Sequence, residues 1–545
     1  ALAVGAAMLV LAWTFLAIVA VRLPDFTCDG NFYHIPAIQA YVNAGKVHWI
    51  AGLPANLDGY MNGYPKGAEV LSFYIVTLLQ SDSSVNLANV LFLPMGVLGI
   101  ATVCGLLGID FLVSFCIGLL WVTIPVNIFQ SATAYVDSAF ASAVVGAVAA
   151  FFSHLVLVDT NRKKTYSVVL LGISLGLALG VKGTGAVVCA TVLLAFTIVA
   201  VARRVRRRDA GILVESIGVV AVVLVTSLPS GLFWYCRNYA HTGSPVYPAG
   251  LTLLGRIIFP GPPVSVAVGL EGQVPEVLRE LNPVWRVVRT WLQIAGGQWV
   301  FSPRIHSIDS RVGGLGFLWL LGCVPAMGVV LFRGKQYVAL KYRGPMWGLL
   351  IAVFVSLIAT PANWWARYTL WIYVAGLPCL VIVVSRWLQQ GRLMRDLAVV
   401  WCVSAMLPFS LEVGWSLCKL AQMAEMEALV FGGDSFHGLR ERTARVTPAY
   451  PRSVFSADMR GTEFEALDTT RAVAIGPLGG GVLRGNALKF EIAGALSRPI
   501  GFRELFYLPA IPSESNMNRL KMNRVRYVIW DDGKAVPASL TTEYD

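Results

Sequence analysis

The 545 residues are 56% hydrophobic and only 14% charged, and 43 Lys and Arg against 31 Asp and Glu leave a net charge of +12. Ordinary soluble proteins carry about a quarter charged residues, so this little charge excludes a soluble surface of this size, and the apolar residues fall in runs near the ~20 that a helix needs to cross a bilayer. The basic excess is gathered at Arg162–Lys164, Arg203–Arg208, Arg333–Arg343 and Arg386–Arg395, between apolar runs, as expected of inner loops and not of the contiguous, aromatic-interleaved footprint of a nucleic-acid binder.

With those clusters on the inner side, the pattern predicts a polytopic α-helical membrane protein of about eleven spans. Ala1 to Val21 lacks a small-residue cleavage site before Arg22 and begins as though truncated, so it reads as a first span and not as a signal peptide. A long outer loop at 23–87 follows, in which Ala68 to Gln80 is apolar but too short to span and lies along the interface or re-enters. The next spans are expected at about 88–106 and 110–126, before a short outer loop at 127–137. Further spans fall at about 138–158, 166–181, 185–202 and 212–234, and a second long outer segment, 235–313, is rich in Pro, Gly and Trp. Spans at about 314–332, 346–360, 368–385 and 396–415 complete a membrane domain over 1–419.

From 420 to 545 the charges become interspersed, and short β-rich runs appear at Arg471–Ile475, Glu504–Leu508 and Arg526–Trp530. With helical character at 483–496 and 513–522, they predict a small α/β C-terminal domain on the outer side. The glycines that follow the first of these runs, Gly476, Gly479, Gly480 and Gly481, fit neither the GxGxxG nor the Walker A spacing. Nine cysteines are scattered singly without CxxC pairing and read as small core residues. Cys28 and Cys236 both fall in outer segments, where a disulfide between them can persist.

Ionisable residues crowd the outer ends of the spans. Asp25, Asp29, Tyr33 and His34 follow the first span, and Asp58, Tyr64 and Lys66 come later in the same loop. Asp137 opens a span, Lys182 sits in a Gly-rich turn between two spans, Arg237 and Asn238 precede Tyr247, and Arg367 stands in Trp-Trp-Ala-Arg-Tyr. A lone loop carboxylate is usually just solvated, and a lone cation at a helix end usually snorkels to headgroups. Cations at outer ends nevertheless run against the positive-inside bias. Converging carboxylates and cations suit a site that holds a phosphate while a carboxylate takes a proton.

At these residues the chain resembles the membrane glycosyltransferases of the GT-C fold, such as protein O-mannosyltransferases and the aminoarabinose transferase of lipid A. Asp29 through Pro36 is similar to the family's Asp-x-x-x-Tyr-His segment, and Tyr64-Pro65-Lys66 to its Tyr-Pro-Pro element with Lys66 in place of the second proline. Arg237-Asn238 with Thr242 through Pro248 resembles its Arg-Asn…Thr-Gly-Asn-Pro-x-Tyr-Pro stretch, and Ala366-Arg367-Tyr368 its late Arg-aromatic pair.

The resemblance implies an inverting transfer of one sugar from a polyprenyl-phosphate carrier to a protein, lipid or glycan acceptor at the outer face of a membrane, the periplasmic face if that is a bacterial inner membrane. It implies Asp29 as the general base and Lys182, Arg237 and Arg367 as the clamp on the departing lipid phosphate. It places Tyr33, His34, Tyr64, Lys66, Asn238 and Tyr247 against substrate. Some members bind a divalent cation such as magnesium or manganese, here on Asp137 with Asp25 or Asp58. The competing readings are a transporter or lipid flippase, which would place charges near the midplane and show broken helices in related halves, and a non-catalytic subunit of a membrane complex.

Overall fold

The computed structural model describes residues 2–431, apart from 23–24, 26, 28, 52, 54, 82–83, 158–160, 208–211, 254, 264–265, 267–272, 296–297 and 300–309, together with the segments 473–478, 505–507 and 527–531. Among these, seven helices are long and apolar enough to cross a membrane: Leu87–Leu106, Asp137–Val156, Ile217–Thr242, Leu318–Tyr337, Leu340–Ala359, Ala366–Leu388 and Arg392–Leu420. The chain is an integral membrane protein of mostly helical architecture.

An eighth span is the bent pair Phe111–Thr123 and Pro125–Ser131, which turns through 65° at its break. Asp110 caps the first piece by accepting from the Leu112 and Val113 amides at 2.9 and 3.3 Å, and Pro125, which has no amide hydrogen to continue the ladder, starts the second. The second piece is helical and buried along its whole length, in the stretch where the sequence pattern predicts a short outer loop at 127–137. Its freed backbone groups are satisfied internally, Asn127 Nδ2 donating to the Trp121 carbonyl at 2.8 Å and the Val126 amide to the Gly314 carbonyl at 3.0 Å. The expected count of about eleven spans takes in Leu2–Arg22, Asn161–Val181 and Gly185–Arg207 as well, whereas length and composition alone support seven or eight. Gly67–Leu79, at 13 residues, is about 20 Å long, which is short of a bilayer core, as expected.

The Asp137–Val156 helix runs through the centre of the bundle. Small residues such as Ala139, Ala143 and Ala147, all fully buried, let its neighbours approach closely. Large rings fill the remaining volume, among them Trp121, Phe129, Phe140, Phe151, Trp319 and Trp371. Buried Asn89 fixes the start of this helix. Its side chain donates to the Gln130 and Thr133 carbonyls at 3.0 and 3.1 Å and accepts from the Ala139 amide at 3.0 Å.

The helix beginning at Arg392 continues to Phe431, past its expected end near 415. Beyond it, Val473–Leu478, Leu505–Tyr507 and Tyr527–Asp531 pair in parallel with the first strand in the middle, at the positions where β-rich runs are predicted. Gly476 falls within that first strand. The helical stretches expected at 483–496 and 513–522, the glycines at 479, 480 and 481, and Cys28 with its expected partnership to Cys236 lie outside the described residues.

Candidate active site

Four charged side chains from distant parts of the sequence meet where helix ends converge. Asp29 immediately precedes a single π-helical turn, Gly30–His34. Its carboxylate caps no backbone group of that turn and instead accepts from Arg367 Nη1 at 3.0 Å. The same nitrogen lies 3.8 Å from Asp137 Oδ2, and Asp137 Oδ1 is paired with Lys182. The local sequence explains each placement: Asp137 is the first residue of the central helix, Lys182 occupies the tight turn between Asn161–Val181 and Gly185–Arg207, and Arg367 opens the helix that follows two tryptophans. Arg367 lies against the rings of Trp365 and Tyr135, 4.1 and 4.8 Å from their centroids, and Lys182 Nζ stands 3.5 Å from the centroid of Tyr368. These faces stabilise cations that have left water.

A second charged cluster lies behind the first. Glu69, in the first turn of Gly67–Leu79, is buried, and its Oε1 sits 2.7 Å from His34 Nδ1 and 3.0 Å from Lys66 Nζ. Burial pushes the Glu69 carboxyl up, but Lys66 and His34 pull it down further, to about 2 against an ordinary 4.5. Burial lowers the Lys66 ammonium from 10.5, and Glu69 opposes that shift. Lys66 is fully buried, with its ammonium 4.7 Å from the ring centroid of Tyr33. The Tyr33 ring lies 4.1 Å from that of His34 and meets Tyr64 edge-on at 5.9 Å. Burial, with the Asp29 charge nearby, raises the Tyr33 hydroxyl well above its ordinary 10.0. Tyr33, His34 and Lys66 are therefore packed around one another and Glu69. The resemblance places Lys66 against substrate, but in this structure it is enclosed.

Arg237 has a different set of partners from Lys182 and Arg367. Its Nη2 donates to the Asn62 carbonyl and, at 3.3 Å, to Asn238 Oδ1, and its guanidinium lies 4.6 and 5.3 Å from the ring centroids of Trp234 and Trp49. Asn238 Nδ2 donates to the Gly63 carbonyl at 2.7 Å, and the Tyr247 hydroxyl to Asp58 Oδ2 at 2.5 Å. The Arg-Asn…Tyr-Pro stretch thereby clasps the turn Gly59–Gly63. A Cβ at Gly59 would stand 2.8 Å from Pro248, and one at Gly63 2.8 Å from the Tyr247 ring, so both positions need glycine for this approach. In the free protein Lys182 and Arg367 gather at Asp29 and Asp137, and Arg237 sits at the clasped turn.

The expected metal ligands each have protein partners of their own. Asp25 accepts from Thr27 through its amide at 2.7 Å and its hydroxyl at 2.5 Å, and from the Ala134 amide. Asp58 is taken up by Asn62 Nδ2 at 2.7 Å and by Tyr247, while Asp137 faces Lys182 and Arg367. Among the described residues no three His, Cys, Asp or Glu side chains are grouped to hold a metal ion. Neither expected pair, Asp137 with Asp25 or Asp137 with Asp58, is held ready for a cation, because each carboxylate is taken up by protein donors.

Sequence reasoning missed Glu69. The available signal was a carboxylate three residues after Lys66 at the head of an apolar helix, a place where an unpaired charge is expensive.

Residues 68–242 match the family model described as dolichyl-phosphate-mannose-protein mannosyltransferase. This stretch contains Asp137, Lys182 and Arg237 but not the motifs at Asp29, Tyr64 and Arg367, and the match supports a glycosyltransferase that uses a polyprenyl-phosphate donor. No curated protein matches the chain in sequence. Among solved structures, the chain is similar to ArnT from Cupriavidus metallidurans bound to undecaprenyl phosphate, with 14% identity, a TM-score of 0.49, and coverage of 97% of this chain and 89% of that one. It is also similar to the Archaeoglobus fulgidus oligosaccharyltransferase in its apo form, with 12% identity, a TM-score of 0.46, and coverage of 96% and 69%.

Proposed function

We propose that this protein transfers a single sugar from a polyprenyl-phosphate donor to an acceptor hydroxyl on the non-cytoplasmic face of its membrane, with inversion at the anomeric carbon. The observation that carries this reading is the pairing of Asp29 with Arg367 beside Asp137 and Lys182, because it sets one partly exposed carboxylate next to two cations. In the reaction the acceptor oxygen attacks the anomeric carbon as the bond from that carbon to the phosphate oxygen breaks. Asp29 takes the acceptor proton, and the polyprenyl phosphate leaves with the bonding electron pair. Arg367 and Lys182 stabilise the charge that grows on its oxygens. In the free protein both cations face Asp29 and Asp137, so the donor phosphate competes with these carboxylates for them. Arg237, held between Trp49 and Trp234, has no carboxylate within ion-pair distance among the described residues and contacts the donor from the other side.

The sugar, the acceptor class and the sidedness belong to this proposal. The test is purified protein in vesicles given undecaprenyl-phosphate-linked sugars and a set of protein, lipid and glycan acceptors. Acceptor-dependent release of undecaprenyl phosphate, with the opposite anomeric configuration in the product, is expected. Movement of the lipid phosphate across the bilayer with no cleavage of the sugar–phosphate bond overturns the proposal in favour of a transporter.

A further inference from the structure

We infer that Glu69 is a positioning residue for this site, holding the turn that carries Asp29; the inference rests on the reading of Asp29 as the base. Asp29, Tyr33 and His34 belong to one segment, the single π-helical turn Gly30–His34 and the residue before it. Glu69 belongs to another, the helix Gly67–Leu79. One oxygen of Glu69 joins the two by taking both His34 Nδ1 at 2.7 Å and Lys66 Nζ at 3.0 Å. An ionised carboxylate can only accept, so His34 must carry its proton on Nδ1. The Tyr33 ring is then gripped from two directions, by the His34 ring 4.1 Å away and by the Lys66 ammonium 4.7 Å from its centroid.

The arrangement is a poor device for stability alone. Three ionisable groups are at most 2% exposed, the second Glu69 oxygen is buried with no hydrogen-bond partner among the described residues, and a buried ion pair repays its desolvation only when its remaining polar atoms are satisfied. Apolar side chains of similar volume would fill the same space without that cost. What they cannot do is fix the imidazole tautomer and the rotation of the turn. Glu69 touches neither Arg367 nor Lys182 among its hydrogen bonds and ion pairs; the turn after Asp29 is the part of the site that it bonds directly.

The experiment compares two variants in which Lys66 is also replaced, so that no unpaired ammonium remains. K66M/E69Q keeps an amide oxygen that accepts from His34 Nδ1, whereas K66M/E69L keeps the volume and loses the acceptor. Both should fold, with undecaprenyl phosphate binding equal within threefold by tryptophan fluorescence. K66M/E69Q should turn over at least tenfold faster than K66M/E69L, with the difference in kcat and not in the donor KM. Equal kcat in the two overturns the inference. Imidazole spectra of protein labelled with nitrogen-15 histidine, assigned with a His34→Asn variant, provide a readout that does not depend on turnover. His34 should be protonated on Nδ1 in the wild type and K66M/E69Q and should lose that preference in K66M/E69L. An unchanged His34 signal in K66M/E69L overturns the inference even if no variant is active. Absence of transfer by the wild type with these spectral differences intact would sink the proposed function and leave Glu69 as the residue that orders the turn.

Discussion

Replacing Asp29 by Asn separates the chemical role of this carboxylate from its structural one. Asparagine keeps the shape and a hydrogen-bond acceptor for Arg367 but cannot take a proton near neutral pH. The structural loss is small, because the Asp29 side chain is 29% exposed, caps nothing in the turn that follows, and leaves Arg367 with Asp137 at 3.8 Å. A partly exposed ion pair of this kind is worth about 1 kcal/mol or less. A positioned general base contributes roughly a hundred- to ten-thousandfold to rate, or about 3–5 kcal/mol of barrier. Turnover of D29N should therefore fall at least a hundredfold while its melting temperature shifts by only a few degrees. Donor binding should be equal or a few-fold tighter, because in the wild type Asp29 competes with the donor phosphate for Arg367. The assay is release of undecaprenyl phosphate from a sugar-linked donor, with donor affinity measured separately by fluorescence. Turnover within threefold of wild type refutes the assignment of the base, and a tenfold loss of donor affinity refutes the competition.

Asp137→Asn leaves Lys182 and Arg367 in a buried site with one counter-charge fewer, and breaking a buried pair in this way costs about 3–5 kcal/mol; thermal unfolding in detergent should show a large fall, and an unchanged melting temperature would contradict the buried pairing. Arg237→Ala removes the donor to the Asn62 carbonyl and the cation between Trp234 and Trp49, so donor affinity should drop tenfold or more with Asp29 chemistry intact, and normal affinity would exclude Arg237 from the phosphate site. The Glu69 carboxyl lies at about 2 in the folded protein against an ordinary 4.5, a depressed value, so the stability it contributes is present above pH ~4.5 and is lost as the pH falls toward ~2. Unfolding measured across that range should be less acid-sensitive in K66M/E69Q than in the wild type, and identical acid profiles would contradict the ionised pair. Single cysteines placed beside Asp29, Asp137 and His241 should all be labelled from the non-cytoplasmic side by an impermeant reagent; labelling of only some of them from that side would break up the site.

The sequence by itself determined the class of the molecule and the chemistry available to it. Long apolar runs punctuated by basic clusters leave lipid as the only consistent solvent, because too few charges remain to cover a soluble surface. The strands at 473–478, 505–507 and 527–531 were legible from their β-rich composition, and Asp29, Asp137, Lys182 and Arg367 stood out as charges at the ends of apolar helices. Tertiary structure decided which of these charges meet. Asp29 and Arg367 are 338 residues apart and Lys182 and Asp137 45 apart, and no local periodicity encodes such pairings. The same holds for Arg237, whose place is set by the clasp between Asn238, Tyr247 and the Gly59–Gly63 turn. The bend at Pro125 is written in the sequence as a missing donor, but burial of the piece after it depends on the Trp121 and Gly314 carbonyls that accept its polar groups. Glu69 shows the division most sharply. A lone carboxylate in an apolar run signals only that a partner must exist, and packing of the Gly67–Leu79 helix against the turn after Asp29 determines that His34 is one of its partners.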